Sequence, residues 1–498
     1  MLFTSGEFLF LYLPIVVAGF FAIAKTMGRA IAAGWLVLAS IVFYGFWRPE
    51  YIALLLVSIA VNYVFGYFLQ RGSFDRHISR RTVLGFAIAV DLIVLCYYKY
   101  ANFLLGTLDS VFAADLPALD IVLPIGISFF TFTQIAYLVD SYAGKVQERN
   151  PIHYALFVSY FPHLISGPVL HHADMMPQFA RAEIYAPRLF NMSIGAAFLA
   201  LGLIKKVLLA DSAAPLANEL FDSQDPSGLS TTLAWHGTLA YTLQIYFDFS
   251  GYSDMAVGLS LLIGVRLPYN FNSPYQARNI IDFWRRWHMT LSRFLRDYLY
   301  VPLGGNRLGV GRRYINLAVT MLLGGLWHGA AWTFVVWGGL HGLYLVVNHG
   351  WRHAAEHVPG YRFAMENPIL RRLGAVAATL LTLAAVIVAW TFFRAESVTH
   401  AVRVLAVMFG SGSSFASPTD AGLSSWAWIA AGFALALFSR NSQELIDGAF
   451  SRKLAAVANR DLRDVAMAAS LGTSVVIIVL MAFVAASRGV TEFIYFNF

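Results

Sequence analysis

The sequence predicts an all-α protein that crosses a membrane about 11–13 times and carries additional re-entrant or interfacial helices. Of its 498 residues, 58% are hydrophobic and only 13% are charged, and the mean hydropathy is +0.62. Soluble domains are roughly 45–50% apolar and about 25% charged. Half the usual charge leaves too little polar surface for a soluble protein of this size, so most of the surface must face lipid.

Apolar runs that are long enough to span a bilayer, about 20 residues each, recur along the whole chain. The candidate spans are roughly 7–24, 30–47, 50–69, 82–106, 121–143, 188–210, 231–263, 314–334, 335–350, 373–393, 424–439 and 464–486. The dividing point between the two spans of 314–350 could move, or one of these spans could be re-entrant. No soluble segment separates the runs, so we expect one membrane domain over residues 1–498.

The charges in the loops alternate in sign. Lys and Arg accumulate in cytoplasmic loops, and basic residues follow the first, third and fifth runs and return near the C-terminus: Lys25, Arg29, Arg71, Arg76, Arg80, Arg81, Lys145, Arg149, Arg440, Arg452, Lys453, Arg460 and Arg463. The opposite loops are acidic: Asp109, Asp115, Asp120, Glu219, Asp222 and Asp225. This pattern predicts an external N-terminus and accounts for the net charge of +7 without a nucleic-acid partner.

The sequence lacks the residues and motifs that several kinds of site require. The chain has one cysteine, Cys96, so an intramolecular disulfide or a cysteine-based metal site cannot form. The phosphate loop GxxxxGK[ST], the zinc helix HExxH and the nucleophile elbow GxSxG are absent. We read the adjacent His171 and His172 as loop residues and not as metal ligands, and we expect neither a metal nor a bound cofactor.

Two stretches do not fit a series of simple spans. Residues 152–187 are interrupted by three prolines, and residues 268–306 are aromatic and strongly basic. Irregular backbone at membrane depth is tolerated only where protein or a water-filled cavity surrounds it. Both stretches are therefore expected to be re-entrant or interfacial elements beside an internal site.

The second stretch contains the run FWRRWHMTLSRFLR at 283–296. Read as one helix, it places apolar side chains on one face and Arg285, His288, Ser292 and Arg296 on a neighbouring polar stripe. An interfacial helix with arginines against lipid phosphates would explain this pattern. The alternative is that Arg285 and Arg286, with their planar guanidinium groups, hold the phosphates of an acyl carrier.

A histidine lies in the middle of the apolar run LLGGLWHGAAW at 322–332. An ionisable residue inside a membrane is costly and indicates function more often than packing, so His328 is a candidate functional residue. Gly325 and Gly329 form a small-xxx-small pair that allows close helix packing. We read His341, on the adjoining run, as structural.

A third motif, YFDFSGYSD at 246–254, places two carboxylates six residues apart in an apolar region. Asp248 and Asp254 could form part of the wall of a reaction chamber or orient a histidine. A polar network that fixes helix packing explains them equally simply, and we favour that interpretation over direct chemistry.

Long strings of this sequence resemble the membrane-bound O-acyltransferase (MBOAT) family, and within it the bacterial branch of the alginate O-acetyltransferase membrane subunit. The strings are FWRRWHMTLSRFLRDYLYVPLGGN at 283–306, LWHGAAWTFVVWGGLHG at 326–342, LPIGISFFTFTQIAYLVDSYAG at 123–144 and FPHLISGPVLHHADMMPQF at 161–179, together with the opening MLFTSGEFLFLYLP and the ending FIYFNF. The resemblance runs nearly from end to end. It implies a ring of tilted helices around a thin centre that is pierced by a tunnel.

The resemblance also implies roles for residues. His328 matches the central catalytic histidine of the family and is expected to act as general base, and His288 matches the second motif position and would orient the donor carbonyl or stabilise the oxyanion. The residues expected around the donor are Arg285, Arg286, Trp287 and Ser292. Those expected to line the chamber are Asp248, Asp254, Trp327 and Trp332.

The implied activity is transfer of an acetyl group across the bacterial inner membrane for O-acetylation of an exported polysaccharide such as alginate. The donor would be acetyl-CoA or an acyl-phosphopantetheine carrier on the cytoplasmic side. A periplasmic acetyltransferase and the polysaccharide export machinery are the expected partners. The alternatives are a proton-coupled transporter or flippase, which would use the same histidines and aspartates as a relay, and acylation of a lipid, a protein or a teichoic-acid-type acceptor.

Overall fold

The computed structural model describes residues 1–71, 79–223, 230–355, 357, 358, 360, 366–411, 422–489 and 491–494. Within these ranges the secondary structure is helical and contains no β-strand. The prediction of an all-α polytopic membrane protein is confirmed. Arg76 and Asp225 of the charge pattern, and residues 495–498 of the ending, lie outside the described ranges.

The helices up to residue 263 follow one another with short connections. They are α1 (Leu13–Thr26), α2 (Arg29–Gly45), α3 (Tyr51–Arg71), α4 (Arg80–Leu95), α5 (Ala101–Phe112), α6 (Ile127–Tyr142), α7 (Pro151–Ser159), α8 (His172–Phe179), α9 (Leu189–Ile204), α10 (Asp211–Phe221) and α11 (Thr231–Ile263). Short π-helical turns precede α1 at Glu7–Tyr12, join α4 to α5 at Cys96–Tyr100 and join α9 to α10 at Lys205–Ala210.

The second half is more interrupted. It contains α12 (Ile280–Trp284), α13 (Met289–Leu295), α14 (Val310–His328), α15 (Trp332–Ala355), α16 (Pro368–Arg394), α17 (Val398–Ala406), α18 (Leu423–Phe438), α19 (Ser451–Ala455) and α20 (Arg460–Arg488). The division between the two predicted spans of 314–350 falls at 329–331, so the expected boundary at 334 is wrong. Gly329 leaves the helix there with an extended backbone (φ −161°, ψ 149°).

Asparagine caps explain where several of these helices begin. Asn150 accepts hydrogen bonds from the backbone N–H groups of the first turn of α7, Asn367 does the same for α16, and Asn459 caps α20. A proline occupies the first helical position after Asn150 and after Asn367. A capping side chain satisfies N–H groups that have no partner within the helix, and proline lacks the N–H that would otherwise be left over.

Among the described residues, six helical segments are long and apolar enough to cross a bilayer. They are Glu7–Thr26, Tyr51–Arg71, Arg80–Phe112, Leu189–Phe221, Pro368–Arg394 and Arg460–Arg488. Arg29–Gly45, Val398–Gly410 and Leu423–Phe438 are apolar but shorter. The protein therefore crosses the membrane several times, and the total of about 11–13 spans stays a prediction.

The helices cluster into two compact units. Unit 1 contains Met1–Val207, Gly251–Tyr269 and Ser442–Asn497, and unit 2 contains Leu208–Ser250 and Asn270–Asn441. The long helix α11 contributes its first part to unit 2 and its last part to unit 1. The expectation of a single membrane domain stays a prediction.

Glycines bring helices of unit 1 into close contact. A Cβ atom on Gly195 of α9 would lie 2.8 Å from the carbonyl oxygen of Gly258, and one on Gly202 would lie 2.6 Å from that of Gly251. A larger residue at these positions would push α9 away from the C-terminal part of α11. This close packing allows the next turn of the chain to hold a buried ion pair, in which Lys205 Nζ lies 2.7 Å from Asp254 Oδ2.

Unit 2 contains a helical hairpin that is built in the same way. A Cβ on Gly325 of α14 would lie 2.3 Å from the carbonyl oxygen of Phe334, and one on Gly338 of α15 would lie 2.4 Å from that of Met321. The two backbones therefore touch at these glycines, as small residues permit in membrane helix pairs. This contact fixes the register of α14 against α15 and thus the positions of the histidines that they carry.

Candidate active site

The turn between α12 and α13 carries the first candidate histidine. Residues 285–288 leave the helical conformation, and His288 adopts the left-handed region at φ +41° and ψ 54°. The prediction of one continuous helix over 283–296 is therefore wrong. A polar stripe that includes His288 does not form, because the break turns this side chain into the protein interior, where it is fully buried.

Backbone hydrogen bonds from outside the motif hold this turn in place. The N–H of Asn272 donates to the carbonyl of Arg286 at 2.9 Å, and the N–H of Met289 donates to the carbonyl of Asn270 at 2.9 Å. The hydroxyl of Thr290 donates to the side-chain oxygen of Asn270 at 2.6 Å. A left-handed histidine costs about 1–2 kcal/mol, and these contacts on both sides of it offset that cost.

Aromatic rings surround His288. Its ring centroid lies 4.8 Å from that of Phe249, edge to face, and 6.2 Å from that of Trp327. Neither ring nitrogen makes a hydrogen bond within the described part of the chain. Burial lowers the pKa of His288 from 6.5 to about 3, because the charged form would lose its hydration. The imidazole is therefore neutral and can offer one N–H to a reacting group.

The second candidate, His328, is the last residue of α14 and is 3% exposed. Its ring centroid lies 4.9 Å from that of Trp327, 5.0 Å from that of Trp337 and 5.2 Å from that of Phe393. Gly329 makes this crowding possible, since a Cβ there would lie 2.1 Å from the ring of Phe334. The sequence WHG thus ends the helix and places an imidazole among aromatic rings.

The structure brings the two predicted catalytic histidines into one aromatic cluster. Trp327 contacts both of them, and Trp337 contacts both His328 and His341 at 5.0 and 4.7 Å between ring centroids. We call these five residues, His288, Trp327, His328, Trp337 and His341, the histidine row. The row lies within unit 2 and draws on α14, α15 and the turn before α13.

The four residues that were expected around the donor are found in different environments. Arg285 is exposed, whereas Arg286 is partly buried, pairs with Asp282 at 2.9 Å and donates to the carbonyl of Asn272 at 3.2 Å. Trp287 is fully buried, and Ser292 donates to its carbonyl at 3.4 Å. Arg285 is thus the one of the four with a freely accessible charge.

Trp287 packs within the protein and not on its surface. Its ring centroid lies 4.8 Å from that of Trp390, 5.0 Å from that of Phe271 and 5.7 Å from that of Phe283. A direct contact between Trp287 and a donor would require these rings to be displaced.

The four residues that were expected to line the chamber also lie in different environments. Trp327 belongs to the histidine row, and Asp248 is buried in unit 2 next to Phe249, which contacts His288. Asp254 belongs to unit 1, where it pairs with Lys205 and accepts a hydrogen bond from Ser442. This arrangement matches the packing interpretation of Asp254. Trp332, at the start of α15, is 53% exposed.

His172 was read as a loop residue, and this is wrong. It begins helix α8 in unit 1, is buried, and its Nδ1 lies 3.2 Å from a carboxylate oxygen of Asp140. His171 precedes the helix in extended conformation. In the part of the chain that the structure describes, His, Cys, Asp and Glu side chains form no group of three or more that could hold a metal ion.

The sequence analysis did not identify three aromatic residues of the site, and it did not place His341 beside them. Phe249, Trp337 and Phe393 contact the candidate histidines, and His341 belongs to the same row. The spacing of Trp337 and His341, four residues apart on one apolar helix, was a usable signal that both face α14. The positions of Phe249 and Phe393 depend on tertiary contacts and leave no local signal.

A cavity in unit 2 lies apart from the histidine row. It has a volume of about 460 Å³ and is lined by Thr231, Thr232, Trp235, Met408, Phe409, Gly410 and Trp426. None of these is a candidate site residue. The assignment of the site therefore depends on the histidine row and not on this cavity.

Comparison with known proteins gives a consistent result. The sequence pattern of the MBOAT, membrane-bound O-acyltransferase family matches residues 76–387, which include the whole histidine row. The peptidoglycan O-acetyltransferase of Helicobacter pylori (strain ATCC 700392 / 26695) is 41% identical over 436 residues, which cover 82% of this chain and 80% of that protein.

Two further relatives have names that describe related enzymes. The probable alginate O-acetylase AlgI of Azotobacter vinelandii is 43% identical over 418 residues, which cover 83% of this chain and 79% of that protein. The teichoic acid D-alanyltransferase of Bacillus subtilis (strain 168) is 31% identical over 235 residues, which cover 44% of this chain and 56% of that protein.

Proposed function

Because this chain belongs to the membrane-bound O-acyltransferase family, we propose that it moves an acetyl group from a cytoplasmic thioester to hydroxyl groups of an exported polysaccharide. It is an O-acyltransferase of the bacterial inner membrane with several transmembrane helices. The observation that carries the proposal is the histidine row, in which Trp327 contacts both His288 and His328 within an aromatic interior.

His328 acts as the general base. Its neutral imidazole removes the proton of the acceptor hydroxyl while the hydroxyl oxygen attacks the carbonyl carbon of the thioester. The carbon–sulfur bond then breaks, and the proton passes from the imidazolium to the departing thiolate. General-base help of this kind is typically worth about 10²–10⁴-fold in rate.

His288 stabilises the carbonyl oxygen as it becomes negative. Burial lowers the pKa of this histidine to about 3, so its neutral ring donates one N–H and carries no charge that would need hydration. A donor that is fixed before the reaction and shielded from water contributes more than the same donor in water. The left-handed turn at 285–288 supplies that fixed position.

The aromatic surroundings protect the thioester. The rings of Trp327, Trp337 and Phe393 shield the imidazole of His328 from water, which limits hydrolysis of the donor and strengthens electrostatic interactions. No step of this mechanism needs a metal ion.

Arg285 is the residue that we propose for the phosphates of the donor, either acetyl-CoA or an acyl-phosphopantetheine carrier. Its guanidinium group is exposed and can form a bidentate contact with phosphate oxygens. Arg286, which pairs with Asp282, instead stabilises the turn. Ser292 and Trp287 support the backbone of the same turn.

The acceptors named in the relatives are peptidoglycan, alginate and teichoic acid, which are all polymers outside the cytoplasm. We propose that this chain serves a polymer of that kind, together with a periplasmic acetyltransferase and the export machinery. The membrane enzyme then passes the acetyl group to a hydroxyl of the partner or of the polymer.

Mass spectrometry of the secreted polysaccharide and of the cell wall tests this proposal. Cells that carry the wild-type chain, no chain or His328→Ala are compared for ester-linked acetyl groups. We expect acetyl groups on one of the two polymers with the wild-type chain and their loss in both other strains. Equal acetylation of both polymers in all three strains would contradict the proposal.

A further inference from the structure

A hydrogen bond fixes the orientation of the third histidine in the row. The indole Nε1 of Trp284 lies 3.3 Å from Nδ1 of His341, and both side chains are buried. An indole N–H can only donate, so Nδ1 of His341 must accept and carry a lone pair. The proton of the neutral ring therefore resides on Nε2.

His341 is linked to His328 through a single aromatic ring. The centroid of Trp337 lies 4.7 Å from that of His341 and 5.0 Å from that of His328, and both contacts are edge to face. Trp337 and His341 lie one turn apart on α15. The contact of Gly325 with Gly338 holds that face of α15 directly against α14, whose last residue is His328.

Other rings close the remaining space around Trp337 and His341. Phe283 stacks on His341 at 6.0 Å, and Trp390 stacks on Trp337 at 5.9 Å between centroids. Phe393 contacts both Trp337, at 5.3 Å, and His328, at 5.2 Å. Interiors that are packed in this way transmit a displacement of one ring to its neighbours.

We propose that His341 and Trp284 are positioning residues, whose hydrogen bond holds Trp337 against His328 and so fixes the direction of the catalytic imidazole. This inference rests on the proposed function of His328. It gives His341 a role that differs from general packing. A misplacement of about 1 Å at a catalytic group can cost about 10²-fold in rate. The ring of Trp337 therefore affects kcat strongly even though it only sets the orientation of the His328 imidazole.

The side chain at 341 must accept a hydrogen bond and must also fill its space. Leucine at this position would fill part of the space but would leave the buried indole N–H without an acceptor. Asparagine places an amide oxygen close to the position of Nδ1 and so retains the acceptor. The two substitutions separate hydrogen bonding from the presence of an imidazole.

The experiment uses the purified full chain in detergent, with [14C]acetyl-CoA as the donor and, as the acceptor, the polymer that mass spectrometry identifies in the preceding experiment. It measures kcat, KM and the midpoint of thermal denaturation. The variants are His341→Leu, His341→Asn, Trp284→Phe and His349→Leu. His349 is a matched control because it lies on the same helix but contacts Arg313, two turns from His341.

We expect His341→Leu and Trp284→Phe each to lower kcat by about 10–100-fold while the KM for acetyl-CoA changes less than about 2-fold. His341→Asn should retain kcat within about 3-fold of wild type, and His349→Leu should leave it unchanged. The double variant Trp284→Phe/His341→Leu should be no slower than either single variant, because one hydrogen bond is lost in all three.

Two results would overturn the inference. One is an unchanged kcat in His341→Leu or in Trp284→Phe. The other is an equal loss of kcat in His341→Leu and His341→Asn with parallel drops in thermal stability, which shows that His341 only packs. If His341→Leu does not fold, Trp284→Phe decides, since it removes the donor and leaves the histidine in place.

A failure of the proposed function is recognised separately. In that case His328→Ala retains full acetyl transfer, whatever the variants of His341 do. The positioning inference is then tested on its own by the rate at which diethyl pyrocarbonate modifies His328, read by peptide mass spectrometry. We expect this rate to change in His341→Leu but not in His349→Leu, and equal rates would contradict the inference.

Discussion

Two sites of the molecule, one in each unit, hold ionisable side chains in different ways. In unit 1, the partly buried Lys205 pairs with the buried Asp254, and Nδ1 of His172 lies 3.2 Å from a carboxylate oxygen of Asp140. Unit 2 buries four histidines, and the three of the histidine row, His288, His328 and His341, pack against aromatic rings. The ion pair of Lys205 with Asp254 stabilises two charges, whereas an aromatic interior disfavours the charged form of an imidazole.

This difference bears on which of the two sites can react with a substrate. A buried ion pair is satisfied by its partner and has little capacity left for a substrate. A neutral imidazole carries one lone pair and one N–H, so it can accept a proton from a substrate or donate a hydrogen bond to it. The proposed function places the chemistry in unit 2, and the comparison predicts that substitutions in the two units affect different quantities.

The largest effect is expected from the buried ion pair of unit 1. Lys205→Met should lower the free energy of unfolding by about 3–5 kcal/mol, because Asp254 stays buried without its cation. Lys205→Met/Asp254→Leu should recover most of that loss. Thermal denaturation in detergent measures both.

A matched control for the ion pair exists in unit 2. Arg394 pairs with Asp222 at 2.7 Å, but the side chain of Asp222 is 55% exposed. Arg394→Met should therefore cost only about 0–1 kcal/mol. Equal losses for Lys205→Met and Arg394→Met would show that burial does not distinguish the two pairs.

The next effect is on catalysis. His288→Leu should lower kcat by about 10²–10³-fold, because the N–H that stabilises the oxyanion is lost. His172→Gln in unit 1 should reduce thermal stability but leave the kcat of the folded protein within about 3-fold of wild type. If His172→Gln lowers kcat as much as His288→Leu, the assignment of chemistry to unit 2 alone is wrong.

A smaller effect on stability tests the packing of α14 against α15, the helical hairpin that carries His328 and His341. Gly325→Ala should destabilise the protein by about 1–3 kcal/mol, because its Cβ would lie 2.3 Å from the carbonyl oxygen of Phe334. The control is Gly374→Ala on α16, where no atom lies within 4 Å of the added Cβ. That variant should be neutral or slightly more stable, since alanine favours helix by up to about 1 kcal/mol.

The last prediction concerns the dependence of stability on pH. Burial lowers the pKa of His288 from 6.5 to about 3, so between these values the unfolded chain binds a proton that the folded chain does not. The free energy of unfolding therefore rises with pH in this window, by up to about 1.4 kcal/mol per pH unit, and this contribution is complete above pH 6.5. Thermal denaturation of wild type and His288→Leu across the window should show a shallower slope in the variant. Identical slopes would contradict the burial of a neutral ring.

The sequence was sufficient to predict the all-α membrane fold and to single out His328 and His288, whose catalytic roles stay predictions. Apolar runs placed the helices, and asparagine caps such as Asn367 mark where they begin. His328 was identifiable because an ionisable residue in an apolar run is rare. These features depend on residues that are close together in the chain.

The rest depends on contacts between distant residues. The break at 285–288 is stabilised by hydrogen bonds to Asn270 and Asn272, which local periodicity does not record. The partner of His341 lies 57 residues earlier at Trp284, and the partner of Asp254 lies 49 residues earlier at Lys205. A pattern of apolar residues in the sequence identifies the buried face of a helix. It does not identify the side chains from distant parts of the chain that pack against this face.

The most direct test of the catalytic assignment is the kcat of His328→Gln, measured on the purified chain with [14C]acetyl-CoA. Glutamine retains hydrogen-bonding capacity but cannot take up a proton near neutral pH. We predict a loss of about 10²–10⁴-fold in kcat with an unchanged midpoint of thermal denaturation. A kcat within about 3-fold of wild type would contradict the role of His328 as the base.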